Sequence, residues 1–273
     1  MTELRASANT AVQYCAVFGV ARITLAEPTG RNPLDAAVLT AIAAGLKQAE
    51  ADAAIRAVVI DSKGEHFCSG LDLSIAALDG IDVGIDSLRL FADILLHLRR
   101  SPLPVIACVD GRASGGGVGL AAACDIVLAD AGASFVLPEV VLGMIPAVIA
   151  PILLRRITPG RLTSLSLSSR TISAIEAKEI GIVDEVAEGT SRVALERQLV
   201  RIGRSSPDAI ATAKRMIDDA EGGDLEHRLD TACMLQAARL QRPDVCEGVR
   251  TFAEGLSPPW FSRIGAPARG GHK

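Results

Sequence analysis

The 273-residue chain predicts an α/β fold, and three observations carry that expectation. Short apolar runs, AVVID at 57–61 and PVIACV at 104–109, alternate with longer stretches of helical period, which argues strands joined by helical crossovers and paired largely in parallel. Hydrophobic residues make up 49% of the chain but include only one Trp, one Tyr and six Phe, so the core rests on Ala, Val, Ile and Leu. The last third changes character and reads as helix throughout. A chain of this length buries a core without disulfides or metals.

In order along the chain, Val17 to Leu25 reads as a strand. Asn32 and Pro33 then read as the N-cap and first residue of a helix to about Glu50, with Leu34, Val38, Ile42 and Leu46 on its inner face. The AVVID strand leads into the loop SKGEHFCSG, and a helix is predicted near Ile85 to Arg99. After PVIACV the glycine run SGGGVG at 114–119 opens a short helix, and Asp125–Ala129 and Ser134–Leu137 read as strands. Phe135 to Leu154 is apolar and of bilayer length, yet it carries Glu139, Pro138, Pro146 and Pro151, so a buried strand, turn and helix is expected rather than a span. Ser206-Pro207 caps a helix to about Ala220, Gly222-Gly223 ends it, and helices follow at Leu225–Leu240 and Pro243–Glu254. The expected organisation is a layered core over 12–200, a helical oligomerisation annex over 201–261, and a mobile tail over 262–273.

A net charge of −4, from 28 basic and 32 acidic residues, offers no footprint for nucleic acid, and few aromatics leave no stacking platform. The six cysteines are scattered, with no Cys-x-x-Cys pair and no His at ligand spacing; a reduced, cytoplasmic protein without a metal site is expected. The first fifteen residues hold no apolar segment of the secretory kind.

The glycine run fits neither the dinucleotide pattern G-x-G-x-x-G nor the elbow G-x-S-x-G, and on its own it is as well explained by close helix-on-sheet packing. A second loop, FCSGLDL at 67–73, follows the AVVID strand as SGGG follows PVIACV. Two strand ends can then offer one backbone N–H each to a single oxygen, such as a thioester carbonyl as charge builds on it. Among other polar residues, Asp72 reads first as a turn cap, Asp125 as a buried carboxylate met by backbone donors, and His66 as a solvated loop residue. Cys68 reads as packing. Arg99-Arg100 and Arg155-Arg156 could meet a substrate's phosphates, though solvated helix ends are the simpler account.

FCSGLDL together with GRASGGGVGLAAACDIVLADAGASFVLPEVVLGMIPA resembles the crotonase superfamily of enoyl-CoA hydratases and isomerases, over about Ala16 to Trp260. The resemblance implies a spiral of repeated ββα units with a C-terminal helical annex that makes trimer contacts, in a homotrimer or dimer of trimers. It implies acyl thioesters of CoA or acyl carrier protein as substrates, with no cofactor. Residue by residue, it implies Leu71 and Gly116 as oxyanion donors, with Ser69, Gly70, Asp72 and Gly115 lining the substrate. Of the two glutamates that hydratases of the family use, the second falls on Glu139; the first falls on Gly119 and is missing. Within the family the MIPAVIAPILLRRI segment and the Pro-Trp ending are similar to the dehydratase of polyketide β-branching, which acts on 3-hydroxy-3-methylglutaryl carried on acyl carrier protein. That chemistry needs one carboxylate, with Glu139 as base and acid. An enoyl-CoA isomerase, an enoyl-CoA or glutaconyl-CoA hydratase, and a non-catalytic thioester-binding scaffold are the alternatives.

Overall fold

A computed structural model describes residues 11–72, 81–220 and 224–261; the predicted tail at 262–273 lies outside them. Two strands stand where one was predicted: β1 (Val12–Val17) and β2 (Val20–Leu25) form an antiparallel hairpin, turned by Phe18 and Gly19 at φ 50 and 79. The run VQYCAV lacks clean alternation because β1 edges the sheet and is largely exposed.

The first helix also starts later than predicted. Pro33–Leu34 is a short strand, β3, and α1 (Ala36–Ala51) is capped by Asp35, whose Oδ1 accepts from Val38 N–H at 2.7 Å. Asn32 is no cap. It sits buried at φ 52, donates to the carbonyls of Lys63 and His66, and accepts from Glu27 N–H, so its amide braces three loop segments together.

The chain then passes three times through the same sequence of steps. β4 (Ala57–Ser62) is followed by β5 (His66–Cys68), the two-residue β6 (Gly70–Leu71) and helix α2 (Ile81–Arg100). β7 (Val105–Val109) is followed by β8 (Arg112–Ser114) and α3 (Gly116–Ala123). β9 (Ile126–Asp130) is followed by β10 (Ser134–Val136), a 3-10 turn (Glu139–Leu142) and α4 (Ala150–Leu153). The 20-residue apolar run is thus a strand, a turn and a helix, as expected. No helix among the described residues is long and apolar enough to cross a membrane. After α5 (Pro159–Ser168), β11 (Ile172–Ser173), α6 (Ala174–Ile180) and β12 (Glu185–Ala187), α7 (Arg192–Gly203) crosses the predicted core–annex boundary. Helices α8 (Pro207–Ala220), α9 (Leu225–Leu240) and α10 (Pro243–Ala253) complete the described chain.

The first strand of each pass enters a six-stranded sheet ordered β1-β2-β4-β7-β9-β12, parallel beyond the hairpin, and the second enters a smaller sheet ordered β11-β10-β8-β5. This alternation between two sheets is the ββα spiral. Every residue of β7 is buried, which is why PVIACV reads as an unbroken apolar run.

The annex is tied to the core by ions. Lys214 Nζ donates to Asp125 Oδ2 at 2.6 Å and to Leu103 O at 2.8 Å, and Arg155 pairs with Asp218 at 2.8 Å; within the core, Arg156 donates to the carbonyls of Ala122, Cys124 and Asp125. Arg155 and Arg156 are therefore not solvated helix ends: their side chains are 7% and 12% exposed, Arg155 held by the Asp218 carboxylate and Arg156 by carbonyls that would otherwise go unpaired. Asp125 accepts from Val105 N–H at 2.7 Å, as a buried carboxylate should, and takes Lys214 as an ionic partner besides.

Candidate active site

β5 and β8 lie side by side in parallel, pairing His66 with Arg112 and Cys68 with Ala113, so the two loops predicted to cooperate leave the same sheet edge as neighbours. Their approach depends on glycine. Gly70 has φ +96, and a Cβ there would lie 2.8 Å from the Ser114 carbonyl oxygen; a Cβ on Gly116 would lie 3.2 Å from Leu71 N. Gly116 is the first residue of α3, so its N–H has no acceptor within the helix. Asp72 N–H donates to Leu34 O at 3.1 Å, and strand alternation turns the N–H of Leu71 the other way, toward Gly116. Two backbone donors on adjacent strand ends therefore converge, at the positive end of a helix.

Glu139 is the first residue of the 3-10 turn and faces this pair. The turn is fixed by Met144 N–H donating to Glu139 O at 3.0 Å, and Gly143 closes it at φ 73. Behind the turn, the indole tip of Trp260 occupies the space beside Gly143 that a Cβ would need, and Arg239 donates to the Gly143 carbonyl. On the cleft side, a Cβ on Gly115 would lie 3.0 Å from Glu139 Oε1, which puts the carboxyl directly on the second loop. Glu139 Oε2 is buried with no hydrogen-bond partner among the described residues. Desolvation by burial raises the carboxyl to about pKa 7, opposed weakly by the hydrogen bond from its own backbone N–H.

The wall where a second carboxylate would stand is apolar. A Cβ on Gly119 would lie 2.2 Å from Ile149 Cγ2 and 3.7 Å from the edge of the Phe91 ring, so Ile149 fills the space that a glutamate would occupy. A cleft runs between these walls. Ser69, Gly70, Leu71, Gly115, Gly116 and Glu139 all line it, and Glu139 is its single ionisable side chain among the described residues.

Asp72 is the exception among the expected site residues. It is absent from the described lining, and its backbone N–H donates to Leu34 O. His66 lies in β5 rather than in a solvated loop; burial, Arg112 and Arg31 lower its pKa, and it too is off the described lining. Cys68 is fully buried and its thiol is pushed up to about 12, which suits packing and not nucleophilic attack. Sequence reasoning missed Leu88 and Phe91 of α2, Ile149, and Gln236 of α9, all of which line the cleft. The signal for Gln236 was present: it is the one polar member of the buried stripe Leu225, Leu229, Ala232, Cys233, Gln236 and Ala237.

Comparison with known proteins agrees with this geometry. The family model for enoyl-CoA hydratase/isomerase matches residues 17–263. The 1,2-epoxyphenylacetyl-CoA isomerase of Escherichia coli is 32% identical over 251 residues, covering 90% of this chain and 96% of that protein. Among solved structures, an enoyl-CoA hydratase from Mycobacterium avium superposes with a TM-score of 0.83 at 31% identity, over 93% of this chain and all of that one (100%). A candidate polyketide-biosynthesis enoyl-CoA hydratase from Bacillus subtilis superposes with a TM-score of 0.82 at 26% identity, over 91% and 99% of the two chains. The chain belongs to the enoyl-CoA hydratase/isomerase family, the crotonase superfamily, and has its fold.

Proposed function

We propose that the protein is a dehydratase of 3-hydroxyacyl thioesters working through a single carboxylate, with 3-hydroxy-3-methylglutaryl on acyl carrier protein as its specific substrate in polyketide β-branching. The observation that carries the reading is that Glu139 faces the paired N–H groups of Leu71 and Gly116 while Ile149 closes the place of a second acid. A thioester carbonyl seated on those two donors is polarised, and the charge that develops on its oxygen as the α-proton leaves is held by them and by the helix end. Glu139, with a pKa near 7, is basic enough to take that proton and acidic enough to return it. In a syn elimination the C2–H bond breaks first, leaving its electron pair in the enolate. The enolate then re-forms the thioester carbonyl and makes a new C2=C3 bond as the C3–O bond breaks, and protonated Glu139 donates to the departing hydroxyl, releasing water and restoring the carboxylate. Ser69, Gly70 and Gly115 shape the floor on which the thioester lies.

The Bacillus subtilis likeness and the C-terminal Pro-Trp segment support the carrier-protein substrate. A second reading, movement of a double bond by the same residue, is favoured by the match to a family of enoyl-CoA isomerases as well as hydratases. The deciding experiment presents the purified protein with 3-hydroxy-3-methylglutaryl carrier protein, with 3-hydroxyacyl-CoAs and with 3-enoyl-CoAs, and follows an 18-dalton loss by mass spectrometry. Dehydration of the carrier-bound substrate, lost in Glu139→Gln, is the expected result. Faster double-bond shift in 3-enoyl-CoAs, with no loss of water from any hydroxyacyl substrate, would favour the isomerase reading.

A further inference from the structure

Gln236 is a polar side chain where packing alone calls for an apolar one. It lies in the buried stripe of α9, is 5% exposed, and sits one turn beyond Cys233, whose thiol contacts the carbonyl of Leu88 at 3.6 Å. Leu88, Phe91 and Gln236 all line the cleft, so the annex helix reaches the site across α2. Burying an amide costs free energy unless its donors and acceptor are used. The acceptor is used: Ile145 N–H donates to Oε1 at 3.4 Å, and because an N–H can meet only the oxygen end, this contact also fixes which way the amide points. The donor is not. Nε2 has no hydrogen-bond partner among the described residues and remains accessible on the cleft wall.

The polar side chains elsewhere on the lining are Ser69, just before the Gly70-Leu71 donor, and Glu139, the proposed base; both belong to the reacting end. Gln236 belongs to neither loop. Around it the wall is built from Leu142, Met144, Ile145 and Val148. Water held there by one amide would be poorly satisfied, whereas an oxygen carried by the substrate would not.

We infer that Gln236 Nε2 is a specificity determinant that donates a hydrogen bond to an acceptor oxygen on the acyl group, beyond the carbons that react. The preferred substrates are acyl thioesters with a carbonyl or carboxylate oxygen on the acyl chain, in place of plain alkyl chains. The donor is neutral and no described lining residue is basic, so the contact assigned to Gln236 is a hydrogen bond and not an ion pair. This rests on the cleft being the acyl-thioester site proposed above.

The test is binding, which does not depend on which reaction follows. Dissociation constants are measured by calorimetry for saturated CoA thioesters: 4-oxopentanoyl and 5-oxohexanoyl, their alkyl counterparts 4-methylpentanoyl and 5-methylhexanoyl, and glutaryl as the carboxylate arm. The wild-type protein is expected to bind at least one oxygen-bearing probe about tenfold tighter than its alkyl counterpart. Gln236→Met is expected to abolish the preference. Gln236→Glu keeps an acceptor for Ile145 N–H but loses the donor, so it holds the loop in place; it is expected to abolish the preference as well, most strongly for glutaryl. Equal binding of oxygen-bearing and alkyl probes by the wild type, or an unchanged preference in both variants, would overturn the role of Gln236. Absence of binding by every probe would overturn the thioester reading and this inference together.

Discussion

The two walls of the cleft are made by the same kind of chain, an apolar segment following a strand of the smaller sheet, and they end up chemically opposite. On one, the turn after β10 places a single carboxyl against Gly115 and strips it of water. On the other, α3 carries Gly119 where a carboxylate could have stood, and Ile149 has moved into the room that a side chain would take. The difference teaches that the missing acid is not a gap that water fills. Among the described residues the lining holds one carboxyl, and packing on the far wall would resist the return of a second.

Glu139→Gln breaks the comparison most severely, since it removes the one ionisable group among the described lining residues; turnover is expected to fall by about 10³-fold, within the range for loss of a general base, with the fold retained by circular dichroism. The same variant reads out the burial of the carboxyl. Because folding raises the pKa of Glu139 from 4.5 to about 7, the native state holds more protons than the unfolded one between those values. The stability this residue contributes is therefore full below about 4.5 and is lost as pH rises toward 7, by about 3 kcal/mol at most. Glu139→Gln is thus expected to unfold at a higher temperature than wild type at pH 8, with the advantage vanishing near pH 4.5. In the wild type, kcat/KM should climb with pH and level off above about 7 as the base deprotonates.

Gly116→Ala tests the donor pair that both walls serve. Its Cβ would lie 3.2 Å from Leu71 N, so the two N–H groups must part; kcat is expected to fall by about 10² while KM changes little. Gly119→Ala probes the far wall alone. Overpacking against Ile149 is expected to cost about 1–3 kcal/mol in thermal or urea unfolding, and adding Ile149→Ala should recover part of it, since the two sites share one space. The smallest effect is expected from Trp260→Ala, which removes the support behind Gly143 and so loosens the turn that carries Glu139. A severalfold drop in kcat/KM, rescued in part by Trp260→Phe, separates this positioning role from simple loss of stability.

Much of this was legible in the residues. The alternation of apolar runs foretold an α/β core with largely parallel strands, and the proline-broken segment around Glu139 foretold a buried carboxyl, because both follow from local pattern; the spiral came from the family resemblance. What escaped depended on neighbours far away in sequence. Asn32 has the residue type of a helix cap, but its amide is claimed by Lys63, His66 and Glu27, and Asp35 caps the helix instead. Asp72 follows the donor loop in sequence, yet it is not among the described residues that line the cleft. The arginine pair at 155 and 156 reads as solvent-facing, but Asp218 of the annex takes Arg155, and Asp184 with the core carbonyls takes Arg156. The filling of the Gly119 wall by Ile149, and the entry of Gln236 from a helix more than ninety residues past Glu139, are packing outcomes that no local pattern announces.

The central claim is that Glu139 alone moves the proton α to a thioester held by Leu71 and Gly116. Hydrogen–deuterium exchange at C2 of a bound acyl thioester, followed by NMR in deuterated buffer, measures that step without regard to what comes after it. The account predicts that the wild-type protein washes deuterium into C2 far faster than buffer does and that Glu139→Gln exchanges at the buffer rate. Exchange in Glu139→Gln as fast as in the wild type would contradict it.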